Sequence, residues 1–179
     1  DIVIAGGGMV GTSLARLLTD IGTGSRPCRI ALLDRVAFEP DKTLFNVQPE
    51  RYDPRVSALT QASKALFREL KIWRHIAEMR QCPYGEMHVW DAEGTGSIQF
   101  RAHEVHQSDL GSIVENSVIS SALYEGLNEQ SNLTYFAPFN LTSVKRDESG
   151  ALLIRSEDGS AVRAKLLVAA DGANSRIRQ

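Results

Sequence analysis

The stretch Asp-Ile-Val-Ile-Ala-Gly-Gly-Gly-Met-Val-Gly, residues 1–11, decides the fold of this chain. It begins with a short apolar, β-branched run that is typical of a buried strand, and then enters an apolar pattern with helical spacing. Between them, Gly6 permits a tight turn, Gly8 lets a diphosphate approach the backbone, and Gly11 lets the helix pack against the strand. The helix N-terminus adds unpaired N–H groups and a positive dipole end. The stretch therefore predicts a dinucleotide-binding strand–turn–helix unit.

The acidic residue that such a unit requires follows at Asp34. A second apolar run, residues 29–34, ends in this carboxylate, where it can accept a hydrogen bond from a ribose hydroxyl. The insert at residues 22–27 delays the acid beyond the usual distance of about 20 residues, and we interpret the insert as a longer helix-to-strand loop. The alternative is that Asp34 only ends a strand and caps a turn.

Composition and charge narrow the class of protein. The 179 residues carry a net charge of −2, and the Lys and Arg residues are scattered, which argues against a nucleic-acid partner. Cys28 and Cys82 have no zinc spacing and are expected to be small, partly buried hydrophobic residues. The pair His103-x-x-His106 lacks a third ligand, so we predict no metal site. The longest apolar runs have the length of a strand, too short to cross a membrane.

Further along the chain, the pattern predicts a βαβ start, a long excursion, an antiparallel meander and a return strand. The remaining expected strands are 84–90 and 97–101 as a hairpin, 132–136, 140–146, 151–156, 161–164 and 165–170. The expected helices are 9–22, one capped by Thr60, 72–79, one capped by Asn116 or Ser117, and one that starts near 174–175. Residues 35–54 and 102–112 are expected to be irregular. This order argues against an alternating dehydrogenase.

Three later segments follow the glycine turn in order. They are Asp53-Pro-Arg-Val-Ser-Ala-Leu59, Leu110-Gly-Ser-Ile-Val-Glu-Asn-Ser-Val-Ile119 and Leu166-Leu-Val-Ala-Ala-Asp-Gly-Ala-Asn-Ser-Arg176. Together with the glycine turn, they resemble the single-component FAD-dependent aromatic hydroxylases. More narrowly, the first segment resembles the ubiquinone-biosynthesis hydroxylases of the 2-polyprenylphenol hydroxylase branch. The resemblance covers essentially the whole chain. It implies an α/β, Rossmann-like FAD-binding fold with the meander and part of a second, substrate-binding sheet.

The resemblance also implies a chemistry. FAD would be the cofactor and NAD(P)H the reductant, and a flavin hydroperoxide formed with O2 would hydroxylate the ring of a polyprenylated phenol. No protein side chain is expected to be catalytic. The implied location is cytoplasmic, with peripheral association at the inner membrane and contact with other ubiquinone-biosynthesis proteins as further expectations.

Eight residues are expected to bind the cofactor, four from the first unit and four carried over from the resemblance: Gly6, Gly8, Gly11, Asp34, Arg55, Asn116, Asp171 and Gly172. Arg55 would place a guanidinium at the flavin or its diphosphate, where it can bind oxygens in a fork. Each of the four carried-over residues has a simpler interpretation. Arg55 can be a surface arginine, Asn116 an N-cap, and the pair Asp171 and Gly172 a turn.

The resemblance further implies a domain organisation. Residues 1–179 would form the N-terminal part of an FAD-binding domain, with residues 81–112 as an inserted portion of the substrate-binding domain. The family's C-terminal half would be absent, so this chain alone is expected to hold FAD weakly and to be inactive. A different class of function is a non-catalytic subunit or prenyl-lipid-binding component of a biosynthetic complex. The intact glycines together with Asp34 and Asp171 favour the enzyme.

Overall fold

The computed structural model describes residues 1–19, 22–23, 26–39 and 52–178. The strands are β1 Ile2–Ala5, β2 Gly22–Thr23, β3 Arg26–Pro27, β4 Ile30–Leu33, β5 Val56–Thr60, β6 Cys82–Tyr84, β7 Glu86–Trp90, β8 Ser97–Arg101, β9 Gly111–Glu115, β10 Leu133–Phe136, β11 Leu141–Arg146, β12 Leu152–Ser156, β13 Ala161–Ala164 and β14 Leu166–Ala169. The α-helices are α1 Met9–Thr19, α2 Gln61–Glu69, α3 Trp73–Met79 and α4 Asn116–Tyr124. Short 3₁₀ turns lie at Ala102–Val105 and Leu127–Glu129. Residues 40–51 of the predicted irregular segment lie outside the described residues.

The chain divides into two compact units, the first formed by residues 1–40 and 123–179 and the second by residues 41–122. The first unit contains a four-stranded parallel sheet in the order β10-β4-β1-β14. A separate antiparallel meander follows in the order β11-β12-β13. The predicted Rossmann-like fold with its βαβ start and meander is confirmed.

The two central strands of the parallel sheet, β1 and β4, are buried on both faces, and their side chains alternate between the faces. Val3 and Leu33 point to the meander and pack in one core cluster with its buried Ile154. Ile4 and Leu32 point the opposite way and pack in a second cluster with Ala15 of α1 and other apolar residues. The short apolar runs at 2–5 and 30–33 therefore form the centre of the first unit because both of their faces find apolar partners.

The second unit is built from an antiparallel sheet in the order β5-β9-β6 and a two-stranded ribbon of β7 and β8. The predicted hairpin is confirmed, with Met87 opposite Phe100 and Val89 opposite Ile98. Thr60 caps α2 as predicted, since its hydroxyl accepts a hydrogen bond from the N–H of Ser63 at 3.3 Å.

Several sequence-based expectations for individual elements were wrong. Strands β5, β6 and β9 were not predicted, and Gly111 and Ser112 of the expected polar loop lie in β9. The strand near 132–136 pairs in parallel with β4 and does not join the meander. The structure assigns no helix within the described residues 174–178, where the N–H of Arg178 bonds to the hydroxyl of Ser175 in the pattern of an N-cap.

Two smaller points concern single residues and membrane spans. Cys82 is exposed and is not the partly buried residue that was expected, whereas Cys28 has intermediate burial. Among the helices of the described ranges, none is long and apolar enough to cross a membrane.

Gly11→Ala tests the packing of α1 on the first strand. A Cβ at this position would overlap the carbonyl oxygen of Gly6 and lie 3.2 Å from the Cβ of Ala170. We expect the free energy of unfolding to fall by about 1–3 kcal/mol, as for other overpacked positions, measured by urea denaturation of the apoprotein. Gly85→Ala is the matched control, because a Cβ there would meet nothing within 4 Å. Equal stability of the two variants would contradict the packing role.

Candidate functional site

A cavity of about 360 Å³ opens in the first unit, where β1, β4 and β14 end. Ligands of open parallel sheets bind outside the carboxyl ends of the strands. Five of the eight predicted cofactor-binding residues line this cavity: Gly6, Gly8, Asp34, Asp171 and Gly172. The sequence positions of these residues are far apart, and the parallel pairing of the three strands brings them together.

The glycine turn has the geometry that its three glycines predict. Gly6 has a φ of +108°, and a Cβ there would overlap the carbonyl oxygen of Ala170, so only glycine fits between the ends of β1 and β14. Gly8 is exposed, and a Cβ there would meet nothing within 4 Å. Gly11 lies behind the turn and not in the cavity lining. The backbone at Gly8 therefore faces free space that a ligand can occupy.

The N-terminus of α1 directly follows this free space. The first intrahelical hydrogen bond runs from the N–H of Thr12 to the carbonyl of Gly8 at 3.0 Å. The N–H groups before Thr12 have no acceptor within the helix. The first turn of α1 contains no acidic side chain to neutralise its positive end. This end of the helix can therefore accept an anionic group such as a diphosphate.

The carboxylate of Asp34 is tied to the glycine turn. Its Oδ2 accepts the N–H of Gly7 at 2.5 Å, and its Oδ1 accepts the N–H of Val36 at 3.1 Å. The second bond is the turn cap that the sequence left as the simpler interpretation of Asp34. A carboxylate has about four lone-pair positions, so two bonds leave acceptor capacity for a ribose hydroxyl. Cap and ligand binding are thus compatible.

Asp171 contributes an unused acceptor at the end of β14. Its Oδ2 accepts the N–H of Arg176 at 2.9 Å. Within the described part of the chain, its Oδ1 is buried and has no hydrogen-bond partner. A buried acceptor without a partner is costly, and a donor from a bound ligand would remove that cost. The following Gly172 has a φ of +80°, so the turn interpretation of this pair is also fulfilled.

Among the further residues of the cavity lining, the sequence indicated no ligand role for Arg35, Phe139, Asn174 and Arg176, and it favoured a core position for Leu141 over a place in an adenine pocket. Arg35 directly follows Asp34, and Asn174 and Arg176 follow Gly172 within one short segment. The two arginines bring positive charge suited to a diphosphate. Phe139 and Leu141 carry no such signal. They reach the cavity because the N–H of Phe139 bonds to the carbonyl of Asp34 at 2.7 Å and draws the chain after β10 to the end of β4.

The other two predicted residues, Arg55 and Asn116, belong to the second unit. The side chain of Arg55 is 80% exposed, with its Nε 3.7 Å from Asp53. Asn116 begins α4, and its Oδ1 accepts the hydroxyl of Ser57 at 2.6 Å.

The cap of α4 comes from Asp53, and not from Asn116 or Ser117 as expected. Oδ2 of Asp53 accepts the N–H of Ser117 at 3.3 Å, while its Oδ1 accepts the N–H of Arg55 at 2.9 Å. The bond from Arg55, with those from Ser117, outweighs the effect of burial and lowers the pKa of Asp53 below its ordinary value. The Asp53-Pro-Arg segment is thereby fixed to the start of α4.

Metal binding finds no support among the residues that the structure describes. None of their His, Cys, Asp and Glu side chains form a group of three or more that could hold a metal ion.

A parallel sheet with a glycine turn and an acid at neighbouring strand ends defines a dinucleotide-binding domain. The chain belongs to the family described as FAD binding domain, whose model matches residues 1–179. FAD, predicted from the sequence, is therefore confirmed as the cofactor. The open backbone at Gly8 and the unpaired Oδ1 of Asp171 fit such a ligand.

The relatives agree with the ubiquinone-biosynthesis hydroxylases that the sequence motifs indicated. The chain is 34% identical to 3-demethoxyubiquinol 3-hydroxylase of Escherichia coli (strain K12), covering 100% of this chain and 43% of that protein. It is 35% identical to the mitochondrial ubiquinone biosynthesis monooxygenase COQ6 of Drosophila melanogaster, covering 100% of this chain and 37% of the relative. The human COQ6 is also 35% identical, with 100% and 38% covered. The resemblance to ubiquinone-biosynthesis hydroxylases is confirmed, and the chain spans about two-fifths of the length of these relatives.

Solved structures share the fold. Pseudomonas aeruginosa PqsL, in complex with 2-aminobenzoylacetate, matches with a TM-score of 0.72 at 19% identity, covering 99% of this chain and 44% of that one. The p-nitrophenol 4-monooxygenase PnpA from Pseudomonas putida matches with a TM-score of 0.71 at 19% identity, covering 99% and 42%.

Proposed function

We propose that the protein is an FAD-dependent monooxygenase that hydroxylates the aromatic ring of a polyprenylated phenol in ubiquinone biosynthesis, with NAD(P)H and O2 as co-substrates. The observation that carries this is the whole-chain identity of 34–35% to relatives named for ubiquinone hydroxylation. The open backbone at Gly8 and the Oδ1 of Asp171, which is unpaired among the described residues, support it, because neither feature contributes to the packing of the fold.

The eight predicted residues are assigned to FAD as part of this proposal. The N–H groups from Gly8 to the first turn of α1 bind the diphosphate, while Gly6 and Gly11 shape the turn. Asp34 accepts a ribose hydroxyl, and Asp171 with Gly172 contacts a neighbouring part of the cofactor. Arg55 and Asn116 are assigned to FAD on the resemblance of their segments to the family.

The chemistry divides between cofactor and protein. Bound FAD supplies the redox chemistry that activates O2 after reduction by a nicotinamide. The residues of this chain bind and orient the cofactor, and none of them is assigned a catalytic role.

Three further assignments complete the proposal. Residues 81–112 form an inserted portion of the substrate-binding domain, and the exposed apolar face of the ribbon, with Met87, Val89, Ile98 and Phe100, supports this. The protein is cytoplasmic and peripheral at the inner membrane, where a prenylated substrate would be found. Other ubiquinone-biosynthesis proteins are its partners.

The test is product analysis. The full-length protein is purified, its flavin content is measured by absorbance, and it is incubated with reduced nicotinamide, O2 and a short-tailed prenylphenol. We expect bound flavin and a product heavier by one oxygen atom, with nicotinamide oxidised in step. Gly8→Val is the flavin-free control. Bound prenylphenol without flavin and without product would instead support a lipid-binding subunit.

A further inference from the structure

We propose that Tyr124 is a positioning residue for the cofactor diphosphate. Its hydroxyl, together with that of Thr12, holds the carbonyl of Gly7 so that the N–H of Gly8 points to the open side of the turn. This inference rests on the proposed diphosphate site at Gly8, and it adds two residues to which the sequence motifs give no role.

The contacts converge on a single peptide group. The hydroxyl of Tyr124 donates to the carbonyl oxygen of Gly7 at 2.7 Å, and the hydroxyl of Thr12 donates to the same oxygen at 3.0 Å. The preceding peptide group is held as well, because the N–H of Gly7 donates to the carboxylate of Asp34. Thr12 is fully buried, so its hydroxyl has little competition from water. The Gly7 carbonyl thus receives two side-chain donors.

The planarity of the peptide bond converts these contacts into an orientation. In a trans peptide, the carbonyl of Gly7 and the N–H of Gly8 lie in one plane and point in opposite directions. Fixing the carbonyl toward Tyr124 and Thr12 directs the N–H of Gly8 away from them. Gly8 is the glycine whose Cβ position is open, whereas a Cβ on Gly7 would overlap the hydroxyl oxygen of Tyr124. One face of the turn is therefore filled by hydroxyl donors and the other is free for a ligand.

The ring of Tyr124 is held in place by its surroundings. It stacks on Phe38 with ring centroids 4.0 Å apart and an angle of 15° between the planes. Burial, and then the neighbouring hydroxyl of Tyr135, raises the pKa of Tyr124 above its ordinary value. The hydroxyl therefore keeps its proton over the working pH range and remains a donor to Gly7.

Tyr124→Phe removes the donor and keeps the ring. In the full-length apoprotein, we expect the affinity for FAD and for ADP to fall about three- to tenfold, the scale of one net hydrogen bond. The affinity for adenosine, which lacks the diphosphate, is expected to stay unchanged. The measurements are a flavin fluorescence titration and displacement of a bound adenosine fluorophore. A purely structural role would weaken adenosine and ADP alike.

Tyr135→Phe is the matched control. The hydroxyl of Tyr135 accepts the N–H of Phe38 at 3.1 Å, donates to the carbonyl of Val36 at 3.3 Å and lies 3.4 Å from the hydroxyl of Tyr124. None of these three groups belongs to the glycine turn, so Tyr135→Phe leaves the bond from Tyr124 to Gly7 in place. Removal of the Tyr135 hydroxyl is expected to leave FAD affinity within about twofold. Thr12→Val is the second variant, because it removes the other hydroxyl that donates to Gly7. We expect it to weaken FAD and ADP but not adenosine, and it tests the proposal if Tyr124→Phe does not fold.

The outcomes separate this inference from the proposed site. Unchanged ADP and FAD affinity in Tyr124→Phe, or an equal loss for adenosine, overturns the positioning role. If Gly8→Val loses FAD while Tyr124→Phe does not, only the inference about Tyr124 fails. If Gly8→Val keeps FAD, the diphosphate site itself is wrong.

Discussion

Gly8→Val is expected to abolish FAD binding by the full-length protein. The Cβ position of Gly8 is open, and the exposed backbone there leads into α1, where the proposed diphosphate binds. A branched side chain would extend into that space, and its Cβ would meet no protein atom within 4 Å, so we expect the variant to fold. Flavin absorbance of the purified variant and a fluorescence titration of its apoprotein measure the effect. We expect a loss of at least about 100-fold, which corresponds to roughly 3 kcal/mol.

The control is Gly96→Val, the same substitution in the β7–β8 loop. A Cβ at Gly96 also meets nothing within 4 Å, and this residue does not line the cavity. Gly96→Val should bind FAD as the wild type does. A folded Gly8→Val protein with full flavin content would remove the glycine turn from the cofactor site.

Asp34→Ala is expected to weaken FAD binding by about 1–3 kcal/mol, the scale of a lost hydrogen bond to a charged group. The carboxylate stands at the end of β4, lines the cavity and also accepts the N–H of Gly7. The variant removes both the ribose acceptor and this support of the turn. FAD affinity is measured by titration, and the free energy of unfolding of the apoprotein is measured in parallel.

The comparison of the two quantities separates the two roles of Asp34. If it only caps the turn through Val36, apoprotein stability falls and FAD affinity does not. If it binds the ribose, Asp34→Asn retains one acceptor oxygen and should recover part of the affinity. Unchanged FAD affinity in both variants reduces Asp34 to a turn residue.

The sequence predicted the first unit well because its signals are local. The apolar run, the glycine spacing and the acid at the end of β4 all lie within residues 1–34, so the unit is predicted from one continuous stretch of sequence. The capping role of Thr60 was also predictable, because a hydroxyl residue directly before an apolar helical pattern occupies the N-cap position. These elements did not need knowledge of the rest of the fold.

The second unit was predicted less well because its sheet depends on distant pairing. β9 is only five residues long and joins β5, more than 50 residues earlier, to β6. Glu115 at its end forms an ion pair with Arg80 at 2.9 Å and accepts the N–H of Asp53 at 2.7 Å. None of these contacts leaves a periodic pattern in the sequence. β9 was therefore not recognised in the sequence, where the apolar pattern of α4 follows it directly.

The site shows the same division. Gly6, Gly8 and Asp34 were found from spacing, whereas Tyr124 lies 117 residues from the carbonyl that it holds. The sequence assigned no role to Gly7, although its two backbone groups are the ones fixed by Asp34, Thr12 and Tyr124. A contact of this kind becomes visible only when the fold brings the end of α4 to the turn.

The central claim is that FAD binds at the ends of β1, β4 and β14, with its diphosphate at the glycine turn. Hydrogen–deuterium exchange of the full-length protein with and without FAD tests it most directly. The account predicts slower exchange of the amides in residues 6–12 and 171–176 when FAD is added, and loss of that protection in Gly8→Val. Protection by FAD that leaves residues 6–12 unchanged would contradict it.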